Sequence, residues 1–292
     1  MTEITWTTPP GPLRRPILLS AFRGWNDAAS AASGAVAYLA ERHGAERVGA
    51  LDPEEFFDFQ VSRPMVDLSE DGDGRVTWPE VEVHVARPAE LERDLVIING
   101  PEPSMRWRTF CAALLDAAQS MGVETAVSLG SLLADVPHSR PVRLTGISSD
   151  AALMEPLGTR PPRYAGPTGI TGVFHGYAEQ RGLKAVSLWA PSPHYAAGVS
   201  NAKASMALLR AVETLTGMDL GAAGLQAAAL QYEQQVSHAV ASDQRLQGLV
   251  EQLEAASDTE PVDDAGPLPS GDDLAAELER YLREADDGSS QG

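Results

Sequence analysis

Two rhythms of apolar residues run along the chain. Short apolar runs at Pro16–Phe22 and Asp94–Asn99, bounded by Pro or Gly, predict buried strands, and Val123–Leu129, Val142–Ile147 and Lys184–Ala190 predict further strands. Glu46–Leu51 predicts another. Val81–Arg87 alternates valine with polar residues, as a strand with one wet face does. Helical spacing predicts helices over Ala28–Arg42, from about Ser104 to Met121, from the Gly166-Pro167-Thr168-Gly169-Ile170 turn to near Gly182, and over Ala202–Thr216. Residues 69–78 read as an exposed turn between Val66 and Val76.

Strand and helix alternate through residue 216, which predicts an α/β fold: a parallel or mixed sheet covered by helices on both faces. Beyond it, Leu225, Ala229, Tyr232, Val236, Ala239, Leu246, Leu249 and Leu253 recur at spacings of mostly three, four and seven. That spacing predicts one long helix from Asp219 to about Ala256, packed as a C-terminal layer on the body or a partner. A Pro/Gly/Asp linker then precedes a last helix, Leu274–Arg283. The expected organisation is an α/β core over 1–216, the long helix over 217–257, and an acidic linker with its terminal amphipathic helix over 258–292.

Charge sharpens this division. The 292 residues carry a net −19, and residues 243–292 alone hold 14 acidic and 3 basic side chains. An acidic chain of this kind lacks the basic footprint a nucleic-acid binder needs and does not suit anionic membrane surfaces. The longest wholly apolar run, Gly34–Ala40, is far short of the roughly 18 residues of a membrane span. The first sixteen residues show no apolar core of a signal peptide, so the expected location is the cytoplasm. Lys184 and Lys203 are the only lysines. A single cysteine, Cys111, sits in an apolar helical pattern and reads as core filler.

Ligands of open α/β sheets gather outside the carboxyl ends of the strands. The polar residues expected there are Asn26 and Asp27 after the first strand, Glu102 and Arg106 after Asp94–Asn99, and His138 and Arg140 after Val123–Leu129. Thr168 and Gly169 open a helix, while His194 and Tyr195 follow Lys184–Ala190. Each has a plainer role open to it. Asn26 or Asp27 suits a helix cap. Glu102 and Arg106, four apart, suit an ion pair within one helix. The two Pro-His pairs suit sharp loops. The Thr168–Gly169 turn offers free N–H groups to an anion but lacks a P-loop lysine. No nucleophile elbow, dinucleotide fingerprint or zinc motif occurs, and the six histidines stand singly, so neither cofactor nor metal is expected.

Several motifs together resemble the proteasome assembly chaperone 2 family, in its actinobacterial form. They are Gly24-Trp25-Asn26-Asp27-Ala28, Pro53-Glu54-Glu55-Phe56-Phe57-Asp58-Phe59, Gly100-Pro101-Glu102-Pro103 with Arg106-Trp107, and Pro137-His138-Ser139-Arg140-Pro141. Further on come Tyr164-x-Gly166-Pro167-Thr168-Gly169-Ile170, Leu188-Trp189-Ala190 with Pro193-His194-Tyr195, and Glu277-Leu278-Glu279-Arg280-Tyr281-Leu282-Arg283. The resemblance implies a three-layer α/β/α sandwich of the purine nucleoside phosphorylase type, a homotrimer, and protein partners such as proteasome subunits. It carries no established catalytic residues. Archaeal members dock through a C-terminal hydrophobic-Tyr-any triplet. This chain ends Ser290-Gln291-Gly292 instead, and Tyr281 is internal.

The expected function is therefore a protein-binding chaperone or adaptor connected with proteasome assembly, more in keeping with binding than with catalysis. Its expected partner-binding stripe is Leu274, Leu278, Tyr281 and Leu282 on the terminal helix. The alternative is a phosphorylase-like or hydrolytic enzyme that uses the strand-end residues as a small-molecule pocket. ATP-dependent carboxylate ligation fits poorly, because Lys184 and Lys203 fall at a strand start and in a helix.

Overall fold

The run ILLSAFR forms a strand buried along six of its seven residues, which requires helices on both faces of its sheet. The computed structural model describes residues 4–68, 74–159 and 166–259. Its strands are β1 (Ile4–Trp6), β2 (Ile17–Arg23), β3 (Glu46–Leu51), β4 (Met65–Leu68), β5 (Gly74–Thr77), β6 (Val81–Ala86), β7 (Leu95–Pro101), β8 (Thr125–Ala134), β9 (Thr145–Ile147) and β10 (Lys184–Pro193). Its helices are α1 (Ala31–Arg42), α2 (Trp107–Ser120), α3 (Ala151–Met154), α4 (Ile170–Gln180), α5 (Ala202–Thr216), α6 (Gln226–Ala241) and α7 (Gln244–Thr259).

Eight strands form one mixed sheet in the order β1-β3-β6-β7-β2-β8-β10-β9. The central four, β7, β2, β8 and β10, are parallel. The period of two along β2 sorts its side chains. Leu18 and Phe22 enter one core with Phe110 of α2 and Phe174 of α4. Ile17, Leu19 and Ala21 enter the other, with the alanines of α1 and with Leu208 and Leu209 of α5. The rings of Phe22, Phe110 and Phe174 meet at 5.6 Å, tilted or edge-on, an arrangement favoured by the ring quadrupoles. Cys111 is fully buried in α2, and burial pushes its thiol up to about 12, so it is core filler as expected. The fold is thus the expected α/β/α sandwich.

Five features differ from the sequence pattern. Strand β1, the β4–β5 hairpin and the short α3 are additional elements. Helix α2 begins at Trp107 and not at Ser104, because β7 runs on to Pro101 and Arg106 takes a left-handed φ of 56°. The expected 219–256 helix is two helices. The Asp243 carboxylate accepts from the N–H groups of Arg245 and Leu246 and starts α7 afresh. The small core under this hairpin is Ala196, Tyr232, Val236, Val240 and Val250. No described helix is long and apolar enough to cross a membrane.

One buried charge fastens the start of β2 to β7. Asp94 is 1% exposed and accepts from the Arg14 backbone N–H at 2.7 Å and from its guanidinium at 2.6 and 3.0 Å. Arg14 also donates to the carbonyls of Pro88 and Leu91. Removing the arginine strands a buried carboxylate. Arg14→Ala is expected to lower stability by about 2–4 kcal/mol in urea denaturation, and a loss below about 0.5 kcal/mol, the ordinary surface range, would contradict this role.

Candidate functional site

The carboxyl ends of the parallel strands carry the residues singled out by sequence, and the structure sorts them into two clusters. The first lies where β2 and β7 end. Glu102 donates its backbone N–H to Arg23 O at 2.7 Å, continuing the β2–β7 ladder by one residue. Its Oε1 accepts from Asn26 Nδ2 at 3.1 Å and from the Ile170 N–H at 2.8 Å. The carboxylate therefore sits on the first turn of α4, where unpaired N–H groups and the helix dipole favour negative charge. Asn26 is 1% exposed, and its Oδ1 has no partner among the described residues.

Gly169 completes this contact. A Cβ there would lie 2.1 Å from Asn26 Nδ2, so only glycine lets the α4 turn close over the amide. Thr168 is exposed, with its hydroxyl folded over the first turn beside Gly172. Asp27 caps α1 by accepting from the Ala32 and Ser33 N–H groups at 2.9 and 3.0 Å, as its position suggested.

Arg106 departs from expectation. It does not pair with Glu102 within one helix, since both precede α2 and Glu102 is committed to α4. Its guanidinium bonds Glu55 at 2.5 Å and lies over the Phe56 ring, 5.8 Å from its centroid.

The second cluster is built around Tyr195. Both Pro-His loops converge on it: the His138 and His194 rings stand edge-on to it at 5.9 and 5.6 Å. Tyr195 Oη accepts the His138 backbone N–H at 2.8 Å and lies 2.9 Å from His138 Nδ1. His138 Nε2 lies 2.9 Å from Ser237 Oγ on α6. A neutral imidazole with its proton on Nε2 satisfies all three contacts, taking the tyrosine proton at Nδ1 and donating to Ser237. His194 pairs with Asp135 at 3.0 Å and is half-exposed.

The loop carrying His138 clasps the helical hairpin at further points. Ser139 donates to Glu254, and Arg140 grips Asp258 with two bonds of 2.7 Å. Arg143 donates to Ser257 O at 3.0 Å. Lys203 Nζ donates to His138 O at 2.7 Å and to Glu233 of α6. Lys203, Glu233 and Ser237 were not among the sequence candidates. Their helices revealed which face is apolar, but nothing in helical spacing names a polar partner on another element.

The structure thus gathers most of the ten candidates into two clusters, one fastening α4 to the sheet and one fastening α6–α7 to the 136–143 loop, while Asp27 caps α1 and Arg106 pairs with Glu55. Among the described residues no three His, Cys, Asp or Glu side chains gather as a metal site. Residues Leu274, Leu278, Tyr281 and Leu282 lie outside the described residues, as does Tyr164.

Two outcomes follow from this geometry. Gly169→Ala is expected to destabilise the fold by about 1–3 kcal/mol through overpacking against Asn26, read from chemical denaturation. For His138, burial and then the Lys203 ammonium hold the imidazole below its ordinary 6.5, while Glu254 and Glu233 oppose them. The unfolded chain then binds the proton first. Stability contributed by the neutral ring is full above about pH 6.5 and falls as pH drops toward the folded value, by at most about 1.4 kcal/mol per pH unit for one proton. His138→Gln should flatten that part of the pH–stability curve. An unchanged slope would refute the assignment, since His175, also held low by burial, remains in both proteins.

Comparison with known proteins agrees with this architecture. The PAC2 family model matches residues 21–240. A Mycobacterium tuberculosis proteasome-assembly chaperone homologue is 42% identical, over 80% of this chain and 99% of its own, with a TM-score of 0.74. A PAC2 family protein from Streptomyces avermitilis gives the same four values. An archaeal proteasome activator from Pyrococcus furiosus, at 19% identity and a TM-score of 0.64 over 82% of this chain and 99% of its own, shares the fold. No curated protein matches the chain. With a family model spanning most of the sandwich and relatives of this identity, the chain belongs to the PAC2 family.

Proposed function

We propose that this protein is a protein-binding chaperone or adaptor that acts on proteasome-related partners. The observation that carries the reading is an apolar face at the carboxyl end of the sheet. The β4–β5 hairpin stands apart from the main sheet, and a two-stranded hairpin alone is marginal in water. It nevertheless exposes Met65, Val66 and Val76, next to Val61 and Trp78. The Phe59 ring meets Trp78 at 4.9 Å, and the Met105 and Ser104 N–H groups bond Phe56 O, which brings exposed Met105 to the same side. Trp25, 59% exposed, follows Gly24 beside Glu102. Clustered exposed aromatics and methionines are typical of protein-interaction surfaces.

The M. tuberculosis relative supports a proteasome-related partner through its description as a proteasome-assembly chaperone homologue. The reading keeps the 1–216 body as the binding unit and the 217–257 segment as its helical layer. It gives the acidic 258–292 segment, with Leu274, Leu278, Tyr281 and Leu282, a second contact on a basic partner surface. It also carries the cytoplasmic location and trimeric state implied by the family.

Purified proteasome α-subunits provide the test. The full chain is expected to retain them on an affinity column. Trp25→Ser with Met65→Ser should weaken retention about tenfold or more, as loss of interface anchors does. Deletion of 260–292 should weaken it further. Absence of retention by the full chain, or equal retention by the Trp25/Met65 variant, would sink the reading.

A further inference from the structure

Adjacent parallel strands β2 and β7 send their chains in opposite directions. Helix α1 follows β2 onto the face it shares with α5, while α2 follows β7 onto the face it shares with α4. Such a divergence opens a crevice at the carboxyl ends of the two strands, the position where open α/β sheets take ligands. Here it forms a cleft of about 360 Å³ on the α1–α5 side, within the range of about 300–1,000 Å³ common for small-molecule sites.

The cleft is distinct from both clusters described above. Arg23 and Asn99, the strand-end residues, line it together with Ser30 and Ser33 from the start of α1 and with Ala37 and Leu225. Arg23 is exposed, touches Asn99 Oδ1 only at 3.5 Å, and makes no ion pair among the described residues. Glu82, across the β6–β7 ladder from Asn99, is hydrogen-bonded by Arg47 and His84 and reaches Arg23 only through its longer-range field. Asp27, the other nearby carboxylate, is spent on the α1 cap. Ser33, 7% exposed, also lines the cleft.

Two features keep the cleft open. Gly34 lies inside α1, where glycine costs about 1 kcal/mol relative to alanine. A Cβ there would stand 3.2 Å from Ser205 Oγ, against the cleft wall. Ala29 and Ser30 both hold left-handed φ values of 52° and 51° without being glycine. The Asn201 N–H, bonded to Ala29 O at 2.8 Å, fixes that turn to the start of α5.

We propose that this cleft binds a small organic anion, its carboxylate or phosphate head on Arg23 and Asn99 and its short apolar body against Ala37 and Leu225. The exposed guanidinium supplies the charge, the Ser33 hydroxyl an additional hydrogen bond, and the alanine and leucine an apolar surface. The site opens at the strand end that also carries Trp25 and gives the protein a ligand-responsive feature beyond its partner-binding surface.

The test uses the full isotope-labelled chain, titrated with inorganic phosphate and, separately, with benzoate. Amide shifts at Ser30, Gly34 and Asn201 are expected to saturate with at least one of them. Saturation with phosphate alone identifies a phosphate head, and with benzoate alone a carboxylate on an apolar body. Arg23→Gln, which changes only an exposed side chain, should weaken that binding about tenfold or more, whereas Lys184→Gln should leave it unchanged. Shifts that fail to saturate with both anions, or equal affinity in Arg23→Gln and the parent chain, would overturn the proposal.

Discussion

Strand β2 has to satisfy two cores at once, and much of the architecture follows from that requirement. Its odd-numbered residues pack under α1 and α5 and its even-numbered residues under α2 and α4. A strand buried on both faces cannot leave its ends to solvent without a change in chemistry. At one end the change is Arg14 closing on buried Asp94. At the other it is abrupt: Phe22 is buried, while Arg23, Gly24 and Trp25 are exposed. The Glu102–Asn26 contact and the Arg23 cleft lie at or near this second end, because there the helices of the two faces part and the backbone turns outward.

The Glu102 carboxylate shows how that opening is partly closed from within. An α/β sheet with a free helix N-terminus at its strand ends ordinarily offers it to an anion. Here the protein supplies its own anion to α4, positioned by a backbone bond to Arg23 O and by Asn26. The side of the sheet under α4 is therefore sealed, while the side under α1 keeps an unpaired arginine. The asymmetry between the two faces separates a structural carboxylate from a candidate binding guanidinium only a few residues away.

The sequence made the sandwich legible because its central strands are short apolar runs and its helices have clear faces. β1 is a three-residue edge strand, and β4 and β5 expose much of their length, so neither carries the periodicity that marks a buried element. The candidate residues were placed correctly at strand ends, yet their partners were not readable. Glu102 and Arg106 are four apart in sequence and belong to different contacts, since a left-handed residue separates them from the helix they were expected to share. His138 and His194 do converge, as their matching loop positions hinted. The tyrosine between them, Tyr195, follows one of them directly, whereas Ser237 lies 99 residues from the other. Arg23 drew no notice because an arginine at a strand end has no motif. Its significance comes from what fails to pair with it.

The hairpin of α6 and α7 brings charge and topology together. Its apolar cluster is small, five buried residues; α6 also packs on α5, and polar ties to the 136–143 loop and Lys203 complete the attachment. Those ties use basic side chains of the body against carboxylates of the hairpin, so the acidity of the C-terminal region is matched at its root by Arg140 and Lys203. At the end of α7, Glu254 and Asp258 both pair with Arg140, which fastens the described end of the acidic region to the body. One of the protein's two lysines is thus committed to holding this layer in place, a use of scarce basic charge that fits an attachment the fold depends on more than a nucleotide site.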